Sequence, residues 1–123
     1  MSKFLQISIY RRPGDRASVV FRKYGLLYRI TTIERARFFT QQLDSYESDL
    51  KKGRADSQFI MQISSPRKRN RVLEIGLKGD VVMLNVYEAM NGFMKPQFAW
   101  TGPKDSLFET LKDFSVATHF LFR

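Results

Sequence analysis

Basic side chains crowd residues 51–71 of this chain. Seven lysines and arginines occur there with one acid, Asp56, and they are Lys51, Lys52, Arg54, Arg67, Lys68, Arg69 and Arg71. Like charges held this close repel one another unless water, salt or a polyanion screens them, and nucleic acid is the commonest polyanion in a cell. The segment therefore favours contact with a phosphate backbone. A solvated basic loop is the alternative interpretation.

Aromatic and basic side chains also share one side of the predicted strands near the N-terminus. Opposite the apolar Leu5, Ile7 and Ile9 lie Phe4, Gln6, Ser8 and Tyr10, and opposite Val19 and Phe21 lie Val20, Arg22 and Tyr24. Sequence-tolerant binding of single strands uses cations for the phosphates and rings for the bases, worth about 1 to 3 kcal/mol per stacked base. The alternative is that these rings cover a second core layer or a subunit interface. Three further cations crowd the adjacent turn, namely Arg11, Arg12 and Arg16.

Side chains that could support catalysis or bind a metal are few. The one histidine, His119, lies in an apolar run, and the chain has no cysteine. Glu74, Asp80 and Glu88 are the only carboxylates on or near one predicted hairpin, and the glutamates could equally pair with Lys78 or Arg71 across strands. The sequence therefore predicts a protein that is not an enzyme and has no cofactor and no metal site.

Composition narrows the class of protein further. The chain has 123 residues, which fits one domain, and its formal net charge is +9. The lack of cysteine predicts an intracellular protein, cytoplasmic or nuclear, or a viral protein in a host cell. No run approaches the roughly 18 apolar residues of a membrane span, so no membrane partner is expected.

The first half, residues 1–52, has the pattern of three short strands and a helix. Alternation predicts strands over residues 4–10, 17–23 and 26–31. The spacing of Thr31 and Glu34 matches a capping box and predicts that a helix begins there. Its apolar stripe would comprise Ile33, Ala36, Phe39, Leu43, Tyr46 and Leu50.

The second half, residues 57–123, repeats this order of strands followed by one helix. Phe59, Met61 and Ile63 open a strand, and a hairpin over residues 72–87 turns at Lys78-Gly79-Asp80. A fourth strand follows Pro96, and a helix starts near Pro103. The pattern predicts an α+β domain of two strand-meander-then-helix halves, in which antiparallel sheets are backed by helices.

One segment resembles a known family. From Gly79 to Pro96 the chain is similar to the single-stranded nucleic-acid-binding domain of the transcriptional coactivator positive cofactor four, in which a strand with a tyrosine leads into a Gly-x-Met-Lys-Pro stretch. Here that stretch is Gly92-Phe93-Met94-Lys95-Pro96. The order of strands and helix over residues 72–114 also resembles a Pur repeat, and the two-half layout resembles the Pur and Whirly group.

The resemblance implies a curved sheet that holds a single strand, with helices completing a dimer or pseudo-dimer behind it. The residues that match in position are Arg71, Lys78, Tyr87 and Lys95. The leading hypothesis is thus a single-stranded DNA- or RNA-binding protein in replication, recombination or transcription, forming a homodimer or higher homo-oligomer. The binding residues predicted from sequence are Tyr10, Arg11, Arg12, Arg22, Tyr24, Arg67, Lys68, Arg69, Arg71, Lys78, Tyr87 and Lys95. The alternative is an assembly subunit of a viral or ribonucleoprotein particle with an aromatic oligomer interface.

Overall fold

The computed structural model describes residues 4–66 and 69–122, which form two antiparallel sheets and two helices. The elements in chain order are β1 (Leu5–Arg12), β2 (Arg16–Lys23), β3 (Leu26–Glu34), α1 (Ala36–Lys51), β4 (Gln58–Ser64), β5 (Asn70–Lys78), β6 (Val81–Met90), β7 (Phe93–Pro103) and α2 (Lys104–Leu121). Strands β1 to β3 make a three-stranded sheet and β4 to β7 a four-stranded sheet, each a meander in chain order. The expected α+β class, with two antiparallel sheets and two helices, is confirmed.

The three-stranded sheet is built from short hairpins with a fixed register. Leu5 is opposite Lys23 and Arg12 is opposite Arg16, so β1 and β2 pair along their whole length. Between the pairs Ala17–Ile33 and Val19–Ile30, β3 has one residue more than β2, and this bulge shifts the pairing of the two strands. Because cross-strand partners share a face of the sheet, this register decides which side chains lie together.

Helix α1 begins at Ala36, not at Thr31, so the predicted capping box is wrong. Strand β3 continues to Glu34, and Arg35 turns the chain with a left-handed backbone, φ 54°. The helix start is capped from a distance by Asp15, whose carbonyl accepts from the amide of Ala36 (3.0 Å) and whose Oδ1 accepts from the amide of Arg37 (2.9 Å). Acceptors from the turn between β1 and β2 replace the local one.

The four-stranded sheet contains the hairpin predicted at Gly79, which adopts φ 62° between β5 and β6. Strand β7 carries Trp100 inward, with its indole lying across Gly102. A Cβ added at Gly102 would lie 2.5 Å from the Trp100 ring. Only glycine therefore leaves room for the indole at this point of the core.

Both sheets and both helices contribute to one hydrophobic core. Phe21 of β2 contacts Phe98 of β7, with ring centroids 5.7 Å apart, and so joins the inner faces of the two sheets. Phe39 of α1 meets Phe114 of α2 edge to face at 6.0 Å. The predicted helix stripe is confirmed from Ala36 to Leu50, whereas Ile33 is buried from strand β3. Among the described residues, neither helix is long and apolar enough to cross a membrane.

Candidate nucleic-acid interface

The three-stranded sheet has one side packed on the core and one side turned away from it. The second side, here called the outer face, is defined by register and alternation. It carries Phe4, Gln6, Ser8, Tyr10 and Arg12, then Arg16, Ser18, Val20, Arg22 and Tyr24, then Leu27, Arg29, Thr31 and Glu34. Four of the predicted binding residues, Tyr10, Arg12, Arg22 and Tyr24, are thus brought together on this face.

The aromatic side chains of the outer face are accessible. Tyr24 is 80 % exposed and Tyr10 is 53 % exposed. The Tyr24 ring lies 5.2 Å from the ring of Phe4, centroid to centroid, at an angle of 41°. An exposed phenol ring offers a flat surface on which a nucleobase can stack.

Two arginines of the outer face, Arg12 and Arg29, border a shallow depression of roughly 230 Å³. Its other lining residues are Tyr10, Ser18 and Arg11. Arg12 Nε donates a 2.8 Å hydrogen bond to Ser18 Oγ, and this hydroxyl donates in turn to the carbonyl of Thr31. Arg22 and Arg29 are exposed on neighbouring strands. The geometry places guanidinium groups beside an accessible tyrosine ring.

Arg11 has its guanidinium on the other side of the sheet. Its Nη1 donates to the carbonyl of Leu121 at 3.1 Å, and its guanidinium carbon lies 5.8 Å from the centre of the Phe122 ring. Residue 11 pairs with Ala17, a core position, which explains this orientation. A cation at a helix C-terminus interacts favourably with the helix dipole, so Arg11 has a structural role in docking α2.

Two arginines of the basic segment approach the outer face from the four-stranded sheet. Arg69 and Arg71 line a cleft together with Arg16, between β3 and the loop that joins β4 to β5. Arg71 is buried, and its Nε donates a 2.7 Å hydrogen bond to Tyr28 Oη. The predicted residues Arg67 and Lys68 lie outside the described residues.

The other predicted residues are dispersed over the four-stranded sheet. Lys78 ends β5, seven positions from Arg71, which corresponds to about 23 Å along an extended strand. Tyr87 lies on the side of that sheet turned away from the core, and burial together with the nearby carboxylate of Glu74 raises its pKa. Lys95 is in register with Glu88, which separates it from Arg71. These three side chains do not join the outer face.

Of the residues on this surface, Arg29 was not singled out from the sequence, whereas Arg16 was noted as one of three cations at the first turn without being listed as a binding residue. Arg29 alternates with the buried Ile30 of β3, so the period-two pattern would have placed it opposite the core. Arg16 faces Arg12 across the first hairpin. Alternation could have found Arg29, whereas the crowding of cations at the turn drew attention to Arg16 and the strand register places it on the outer face.

The three candidate carboxylates for metal binding lie apart. Glu74 accepts from Gln58 Nε2 at 3.2 Å on one side of the four-stranded sheet, whereas Glu88 faces Arg71 on the other. Asp80 lies in the hairpin turn, where its carbonyl accepts from the amide of Lys104. Within residues 4–66 and 69–122 there is no group of three or more histidine, cysteine or acidic side chains that could hold a metal ion.

Comparison with protein families, with curated proteins and with solved structures gave no match to this chain.

Proposed function

We propose that the protein is a non-enzymatic, sequence-tolerant binder of single-stranded DNA or RNA that uses the outer face of its three-stranded sheet. The observation that carries the proposal is the juxtaposition on one exposed surface of Tyr10 and Tyr24 with four arginines, Arg12, Arg16, Arg22 and Arg29. Among the described residues in register on this face, Glu34 is the one acid, at the corner beside Arg16.

The mechanism combines capture and stacking. The arginines and the net charge of +9 attract the phosphate backbone at long range and release its counterions on contact. Unpaired bases then stack on Tyr24 and Tyr10, which lie at opposite ends of the outer face. Duplex bases are already stacked on one another, so these rings add affinity only for single strands. Neither helix carries a run of basic residues suited to a major groove, since both α1 and α2 mix acids and bases.

The test is the double substitution Arg22→Gln with Arg29→Gln. Both side chains are exposed, so the fold should be unaffected, while two phosphate contacts are lost. We expect binding of a labelled thymidine oligonucleotide to weaken about tenfold or more at low salt, measured by fluorescence anisotropy. The charge-matched control is Lys51→Gln with Arg54→Gln, at the far end of α1, which should weaken binding less than threefold.

Two results would contradict the proposal. One is wild-type protein that binds duplex at least as tightly as single strands across a salt series. The other is an equal loss for the test and control pairs, because net charge alone would then account for binding. Either result would remove the role assigned to the outer face.

A second candidate function, assembly into a larger particle, is favoured by an apolar surface on the four-stranded sheet. Ile60, Val81 and Met83 lie on the side turned away from the core and are each at least half exposed. Exposed apolar surface of this kind often marks a protein interface. If assembly is the function, Met83→Glu should abolish self-association in analytical ultracentrifugation, and the double arginine variant should assemble normally.

A further inference from the structure

A cleft of roughly 500 Å³ separates the three-stranded sheet from the loop between β4 and β5. Its lining consists of three arginines, three hydroxyl residues and a proline, namely Arg16, Arg69, Arg71, Thr31, Thr32, Ser65 and Pro66. No carboxylate belongs to this lining among the described residues. Among the described lining residues, every charged side chain is therefore a cation, and every other polar side chain can donate a hydrogen bond.

Arg71 is the most informative group in the cleft. It is only 9 % exposed, and within residues 4–66 and 69–122 its one hydrogen-bond partner is the phenol of Tyr28. A guanidinium has five N–H donors, and burying it without a counter-charge costs free energy. Glu88 is its cross-strand neighbour but is not in ion-pair contact with it and does not line the cleft. The site is therefore suited to an anion that supplies the missing acceptors.

The opposite walls of the cleft are held in place by local hydrogen bonds. Ser65 Oγ accepts from the amide of Arg69 at 3.3 Å and donates to its carbonyl at 3.2 Å, which holds these two lining residues together. Across the cleft, Arg16 is anchored in β2 opposite Arg12. Arginines on two separate elements thus converge on one space, as the recognition of a phosphate group requires.

We infer that this cleft binds a phosphate group of a nucleotide. That the phosphate belongs to a nucleic-acid strand rests on the proposed function. That the cleft binds a phosphate group rests on the chemistry of its lining. Ser18 lines the depression on the outer face and Thr31 lines the cleft, and the two residues are hydrogen-bonded. A nucleic-acid strand that lies over Tyr10 and Arg29 can therefore place the phosphate of the adjacent nucleotide in the cleft. That phosphate is either the terminal one or an internal one.

The experiment compares a thymidine decanucleotide carrying a 5′-phosphate with the same oligonucleotide carrying a 5′-hydroxyl. The variants are Arg69→Gln, which alters an exposed side chain, and Tyr28→Phe, which removes the acceptor that orients Arg71. The control is Lys78→Gln, at the other end of strand β5. We expect Arg69→Gln to weaken binding about tenfold and the control less than threefold.

The two sources of phosphate give different results. If the phosphate is terminal, the phosphorylated oligonucleotide binds at least fivefold tighter than the hydroxyl form, and Arg69→Gln abolishes the difference. If it is internal, both oligonucleotides bind wild type equally and Arg69→Gln weakens both. Unchanged binding by both cleft variants, with loss in the Arg22→Gln, Arg29→Gln variant, would overturn the cleft site and leave the proposed function intact.

A measurement without nucleic acid tests the phosphate site in the cleft independently of the proposed function. The melting temperature of the wild type is compared in phosphate and in chloride buffers of equal ionic strength. A phosphate-dependent rise that Arg69→Gln removes would support the cleft even if no oligonucleotide bound. No rise in the wild type, together with unchanged oligonucleotide binding by Arg69→Gln, would overturn it.

Discussion

Two consecutive arginines at the end of β1 serve different purposes because adjacent side chains of a strand point to opposite faces. Arg11 donates to the carbonyl of Leu121 and supports the end of α2, whereas Arg12 donates to Ser18 on the outer face. The same alternation separates the exposed Arg29 from the buried Ile30. Charge at a position is thus less informative than the face on which the position lies.

At the scale of single residues, two of the three predicted binding tyrosines, Tyr24 and Tyr87, should differ in their contribution to binding. Tyr24 is highly exposed beside arginines, and Tyr24→Ala should weaken single-strand binding by about 5- to 150-fold, the equivalent of about 1 to 3 kcal/mol. Tyr87 lies close to the carboxylate of Glu74, which repels phosphate, so Tyr87→Ala should weaken binding less than threefold. Fluorescence anisotropy at constant salt measures both effects.

Thermal unfolding provides the control, since the melting temperature of Tyr24→Ala should equal that of the wild type. A larger loss of binding in Tyr87→Ala than in Tyr24→Ala would indicate that the nucleic acid binds the four-stranded sheet and not the outer face.

At the scale of elements, the two helices are docked through an interface that is not wholly apolar. Phe39 and Phe114 pack edge to face, but Asp44 of α1 also faces Ser115 and His119 of α2. Asp44 Oδ1 is buried without a hydrogen-bond partner among the described residues. Burial raises the pKa of Asp44 above its ordinary value of 3.8, and Ser115 and His119 lower it by less.

This shift predicts the sign of a pH effect on stability. Because the folded state holds the proton more tightly than the unfolded state, the contribution of Asp44 is complete below about pH 4 and is lost as pH rises through its folded-state pKa. Asp44→Asn should therefore raise the melting temperature at pH 7 by about 1 to 3 °C and leave it unchanged at pH 3.5. Calorimetry at both pH values measures this, with Asp49→Asn as the exposed control on the same helix. A lower melting temperature for Asp44→Asn at pH 7 would contradict the assignment.

At the scale of the whole molecule, the two sheets place two cationic surfaces side by side. The outer face contributes four arginines and the cleft adds Arg69 and Arg71, although these last two lie about forty residues or more further along the chain. The hydrogen bond between Arg71 and Tyr28 ties the sheets together where the surfaces meet. A strand crossing this junction would contact both sheets.

The number of arginines on the outer face and in the cleft predicts how strongly binding depends on salt. Four to six phosphate contacts on a single strand predict that log K falls against log salt with a slope of about −3 to −4. Each arginine changed to glutamine on this surface should reduce the slope by about 0.7. Anisotropy titrations from 50 to 300 mM salt, roughly a sixfold range, measure the slope. A slope near zero would show that the arginines do not contact phosphates.

Much of the fold could be predicted from local pattern, and the exceptions have physical causes. The hairpin at Gly79 and the stripe from Ala36 to Leu50 follow from periodicity, which acts over a few residues. The start of α1 could not be predicted, because its cap is Asp15. The candidate site was also predictable only in part. Alternation placed Tyr10, Arg22 and Tyr24 on one face, but it could not show that Arg71 would contact the three-stranded sheet.

By itself the sequence determined the α+β class, the face of each strand and the excess of positive charge, because these depend on composition and on spacings of two to four residues. Only the tertiary structure decided that Arg71 lies apart from Lys78 and Lys95 of its own sheet and lines a cleft together with Arg16. The physical reason is that this contact depends on the packing of two separate sheets against one core, and no local periodicity encodes which edges meet.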